Sequence, residues 1–179
     1  MSESRPADSA TGLARSDWES LARGAVGHFG SAGSDQESAE LLRELLVFGL
    51  DGSAYAVSVE RVREIVRMKK LTRVPRAPAW LLGVVALRGE VVEVVDLRQR
   101  LGLGASTPNR LNRIIVLHGD VDRVTGLLVD SVSEVYRISE DEIRPSQGTD
   151  ASCVGEICPR GEEFVSILDV ERTLGVSDD

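Results

Sequence analysis

Val59-Glu60-Arg61-Val62-Arg63-Glu64-Ile65 returns 70 residues later as Val129-Asp130-Ser131-Val132-Ser133-Glu134-Val135, and Pro75 returns at the same offset as Pro145. Two residues of drift bring Gly83 and Arg88-Gly89-Glu90 onto Gly155 and Arg160-Gly161-Glu162. One more brings Asp96-Leu97 and Leu101-Gly102-Leu103 onto Asp169-Val170 and Leu174-Gly175-Val176. Most of the chain is therefore two copies of one unit of about 65 residues, close to the size at which a lone core barely offsets chain entropy. Two such units should share a core.

Within each copy the apolar pattern is that of short strands. Leu46 to Leu50, Asp51-Gly52 and Ala54 to Val57 predict a hairpin, since Asp-Gly supplies the positive φ of a tight turn. Ile114 to Leu117, His118-Gly119-Asp120 and Thr125 to Val129 repeat it. Leu82 to Leu87, Arg88-Gly89-Glu90 and Val91 to Val95 predict a second hairpin, echoed by Val154 to Cys158, Arg160-Gly161 and Phe164 to Leu168. Short helical tails follow over 96–101 and 169–174, each capped by an Asp and stopped by Gly102 or Gly175. Five short strands per copy predict a mostly β protein of two five-stranded SH3-like barrels packed together, the first mainly 45–103 and the second mainly 111–168.

Residues 1–42 stand outside the repeat and are rich in Ser, Ala, Gly, Asp and Glu, the composition of a largely flexible extension. Trp18, Leu21, Ala22, Ala25, Val26 and Phe29 recur at helical spacing after Ser16-Asp17, predicting an amphipathic helix over 16–29 that Gly24 and Gly27 weaken. A second short helix is expected over 35–43. Neither a bilayer-length apolar run nor a signal-peptide-like stretch in residues 1–30 is present, which predicts a cytoplasmic location. Cys153 and Cys158 would lie roughly 17 Å apart on one strand, too far for a disulfide.

The net charge of −8 disfavours nonspecific binding to nucleic acid. It is uneven: Arg61, Arg63, Arg67, Lys69, Lys70, Arg73 and Arg76 against Glu64 give +6 locally, so by subtraction the remainder carries −14. A solvated face is the plain explanation, an acidic protein partner the sharper one. His28 and His118 belong to no catalytic or metal motif, there is no phosphate loop, and neither cofactor nor metal is expected.

Val62-Arg63-Glu64-Ile65, Leu71 to Pro78, Gly83-Val84, Leu87-Arg88-Gly89, Val94 to Arg98, Gly126 to Asp130 and Ile143-Arg144-Pro145, in that order, resemble the CheW family of chemotaxis coupling proteins over about residues 43–176. The resemblance implies a noncatalytic scaffold of two packed barrels that binds the regulatory domain of a CheA-type histidine kinase and the cytoplasmic tips of chemoreceptors, recruited to membrane-associated arrays. One barrel would dock against the kinase's homologous barrel while a hydrophobic groove takes the receptor's helical tip. By residue-by-residue carry-over, Val62, Ile65, Gly83, Ile114, Gly126 and Val132 become candidate partner-binding positions, and Glu64 and Arg88 a structural or coupling ion pair. Aliphatic residues on strands usually fill cores, so only some should be exposed. Ile114 is expected to be one of them, its change to Asp abolishing partner binding with the melting temperature nearly unchanged.

Ala86 and Glu93 stand where the family's asparagine and proline are usual, which leaves open a nonflagellar pathway controlling surface motility, pili or another output. A rival of another class is an RNA-binding barrel using the 61–76 segment. With aromatics at 4% and none interleaved with that segment, it lacks the usual stacking platform.

Overall fold

The computed structural model describes residues 41–119, 124–147 and 153–175. The helix expected over 16–29 lies outside these residues. The one expected over 35–43 does not reach its end, because Leu42 already opens a strand. In chain order the strands are β1 (Leu42–Leu50), β2 (Ser53–Ser58), β3 (Val62–Arg67), β4 (Leu81–Leu87), β5 (Glu90–Asp96), β6 (Arg113–Leu117), β7 (Val124–Val129), β8 (Ser131–Ser139), β9 (Arg144–Pro145), β10 (Val154–Arg160) and β11 (Glu163–Leu168). Helix α1 (Leu97–Arg100) follows β5 and helix α2 (Val170–Leu174) follows β11. Asp51-Gly52 and Arg88-Gly89 make the expected two-residue hairpin turns, with positive φ at both positions of each.

The strands form two sheets, but they do not sort by halves of the chain. One sheet runs β8-β1-β2-β11-β10-β9 and the other β3-β6-β7-β5-β4. The assignment of 45–103 to one barrel and 111–168 to the other is therefore corrected. Each copy donates its first hairpin, β1–β2 or β6–β7, to the other copy's sheet, where it sits between the third strand and the last hairpin. The junctions are equivalent in kind: β8 meets β1 and β3 meets β6 antiparallel, while β11 meets β2 and β5 meets β7 parallel.

Alternation along the donated strands explains the arrangement. In β1, Leu45 and Val47 face the interior of their own sheet with Ile138, Val165 and Ile167, while Leu46, Phe48 and Leu50 face away. In β6, Ile114 and Val116 pack with Val92, Val94 and Leu128, while Ile115 and Leu117 face away. The outward residues of both sheets meet in a third cluster with Leu97 and Val170 of the helices, the shared core that two small units need. Both faces of these strands are covered, and burying each Val, Leu or Ile contributes about 1.5–3 kcal/mol.

Candidate functional site

Among the described residues no backbone ladder joins β3 to β4 or β8 to β9, so each sheet curls to a seam that side chains close. At the first seam the Nη2 of Arg88, in the β4–β5 turn, lies 3.3 Å from Oε2 of Glu64 on β3, and Arg63 reaches Glu90 at 2.5 Å. The second seam repeats the first pair in the other copy. Glu134 on β8 accepts from both Nε and Nη2 of Arg160, and the Tyr136 hydroxyl donates to the carbonyl of Pro159 at 3.3 Å. Ser133 stands where Arg63 does, so the Arg63–Glu90 pair has no equivalent there.

The ion pair inferred between Glu64 and Arg88 is thus formed, with Arg88 79% exposed and Glu64 19%. Such a pair adds at most about 1 kcal/mol of stability, which leaves most of the Arg88 donors available to a partner. The sequence reading missed Glu134 and Arg160, although the repeat offset applied to Glu64 and Arg88 points to both.

The other candidate positions divide. Ile65 is 41% exposed on β3, beside the seam. Val62 and Val132 are half-buried and pack against the shared core. Gly83 has φ +145°, and a Cβ there would run into the Thr72 carbonyl, which accepts from the Val84 amide; its role is to let the 71–73 segment cross β4. Ile114 is fully buried and Gly126 lies against it, so a Cβ on Gly126 would collide with the Ile114 side chain. This corrects the expectation that Ile114 is an exposed contact: β6 is an interior strand covered on both faces, and its apolar residues are core. Exposed apolar side chains lie instead at equivalent places in the two copies, Ile65 and Val91 near the first seam, Val135 and Phe164 near the second.

At the end of β5 away from the Arg88-Gly89 turn, Asp96 is buried and caps the start of α1. Burial would raise its pKa, but hydrogen bonds from the Ser106 hydroxyl and amide and from the Gln99 side chain and amide outweigh that and hold the carboxyl below its usual range. Cys153 and Cys158 are both buried and form no disulfide, and burial pushes the Cys158 pKa up, keeping it neutral and unreactive.

Two curled sheets sharing a core, with charged seams and apolar side chains on their rims, are the frame of a protein-docking scaffold. The chain belongs to the CheW-like family, whose domain description matches residues 44–177. The chemotaxis protein CheW of Helicobacter pylori is 33% identical over 80% of this chain and 88% of that protein. The CheW of Rhizobium meliloti is 39% identical over 58% of this chain, and the match spans 66% of that relative. The crystal structure of scaffolding protein TtCheW from Thermoanaerobacter tengcongensis superposes with a TM-score of 0.68 at 30% identity, covering 72% of this chain and 90% of that one. The chain is accordingly a noncatalytic coupling scaffold. No helix among its described residues is long and apolar enough to cross a membrane.

Proposed function

We propose that this protein couples chemoreceptors to a CheA-type histidine kinase, working in the cytoplasm and recruited to receptor arrays. The observation that carries the reading is the first seam: an exposed Arg88 held by one long contact to Glu64, beside the exposed Ile65 on β3, with the exposed Val91 of β5 next to Glu90, which reaches across to Arg63. A small apolar patch with a charged rim is the anatomy of a protein interface, and an arginine with free donors is a good anchor for it. The kinase's regulatory domain takes this edge, and receptor binding elsewhere on the scaffold shifts which kinase conformation is populated.

The test is calorimetric titration of the full chain with the regulatory domain of the CheA-type kinase from the same organism. Micromolar binding that Ile65→Asp weakens about tenfold or more, with an unchanged melting curve, supports the reading. A double reversal, Glu64→Arg with Arg88→Glu, that restores binding lost in each single variant assigns the pair a mutual role. Failure of the folded double variant to restore binding assigns Arg88 to the partner. No binding by the folded wild type defeats the kinase assignment.

A further inference from the structure

The basic run 61–76 divides in the structure. Arg61 lies 3.7 Å from Glu171 and Arg63 pairs with Glu90, whereas Arg67, Lys69, Lys70 and Arg73 are exposed and have no carboxylate partner among the described residues. These four border two adjoining hollows of about 480 and 440 Å³, which share Met68, Asn109 and Asn112 and so form one trough. Leu71, Leu82, Pro108 and Leu128 give the larger hollow apolar walls under the Lys69, Lys70 and Arg73 cations. Arg110 and Arg113 carry the positive charge into the smaller one.

The far wall is fixed before any ligand arrives. Ser106 is tied to Asp96 through its amide at 2.9 Å and its hydroxyl at 2.6 Å. Asn112 is buried, and its side-chain amide donates to the Val129 carbonyl at 3.4 Å. The Asp96 carboxylate also lines the trough, but its oxygens are already engaged by Ser106, Gln99 and the Arg98 amide. A preformed concavity binds with less ordering cost than a mobile surface.

We propose that this trough is a docking site for an acidic peptide segment of another protein, one with apolar side chains set between its carboxylates. Unpaired lysines and arginines on the rim match the carboxylates, and the Leu71, Leu82, Pro108 and Leu128 walls match the apolar side chains. Among the described residues no aromatic side chain lines either hollow, so they offer stacked bases no platform, which disfavours a nucleic acid. A concave trough also suits a chain better than a flat bilayer surface. None of its residues belongs to the Glu64–Arg88 patch, so the site can be occupied whether or not the kinase assignment holds.

The experiment is fluorescence anisotropy of the full chain with a fluorescein-labelled synthetic peptide of glutamates interrupted by leucines. Saturable binding is expected, weakened by added salt, and lost by about tenfold or more in Lys69→Glu with Arg73→Glu, both exposed positions where the melting curve checks folding. Undiminished binding by the charge-reversed variant overturns the proposal. So does equal affinity for an all-glutamate peptide, which would mean attraction without a site, or equal competition by a single-stranded oligonucleotide or anionic vesicles.

Discussion

The two sheets are built to one plan, yet they use the same positions differently. Each holds a hairpin from the opposite copy, is followed by an Asp-capped short helix, and closes its seam with a glutamate from the third strand and an arginine from the last hairpin. In the second sheet that arginine binds through two nitrogens and is 32% exposed; in the first it touches through one and projects into solvent. Gly83 is forced by its positive φ and by Thr72, while a Cβ on its counterpart Gly155 would meet only the Asp169 side chain at 3.5 Å. Duplication has kept what makes the sheets fold and let the edges diverge, so the edge that keeps an underused arginine is where a partner is best sought.

Substitutions at matched positions break or sharpen this comparison. The largest effect is expected at Ile114→Asp, which buries an unpaired carboxylate and should leave no cooperative unfolding transition, whereas Val135→Asp on the exposed face of β8 should shift stability by less than about 0.5 kcal/mol in urea titrations. Next comes Gly83→Ala, costing about 2 kcal/mol or more through its backbone clash, against a change within about 0.5 kcal/mol for Gly155→Ala. If both glycines tolerate alanine, the crossing of Thr72 over β4 is not the constraint described.

Asp96→Asn should cost about 1–3 kcal/mol at neutral pH, and Asp169→Asn, whose carboxylate caps α2 through the Arg172 amide and pairs with the Arg172 side chain at 3.2 Å, about 1 kcal/mol. Because the folded-state pKa of Asp96 is lowered, its stabilisation is complete above the unfolded value near about 4 and is lost as pH falls through the folded value. The gap between wild type and Asp96→Asn should therefore narrow on acidification in that range, read from denaturation midpoints. Smallest is the seam itself: Arg88→Ala should change stability by less than about 0.5 kcal/mol and Arg160→Ala by about 1 kcal/mol. An equal cost for both would remove the distinction between a free and a committed arginine.

Much of this was legible in the sequence for definite reasons. Asp51-Gly52 and Arg88-Gly89 announce hairpins because few residue pairs supply two positive φ values, and Asp96 and Asp169 announce helices because their carboxylates cap them. Hairpin exchange was not legible: each first hairpin presents the same alternation to its own copy as to the other, and sequence distance says nothing about which it joins. Ile114 misled for a related reason, since an apolar strand residue looks alike whether its face meets solvent, a partner or a second sheet. The basic run was visible as charge, but the trough was not, because Ser106, Asn109 and Asn112 come from a separate loop.

The exchange also sets the order in which the chain can fold. Tyr55 on β2 finds its parallel neighbour Ser166 on β11 about 110 residues later, so the first hairpin emerges from the ribosome with neither of its flanking strands yet made. Its apolar faces stay uncovered until nearly the whole domain has been synthesised. A nascent chain cut short after the first copy is therefore expected to yield no half-sized folded product.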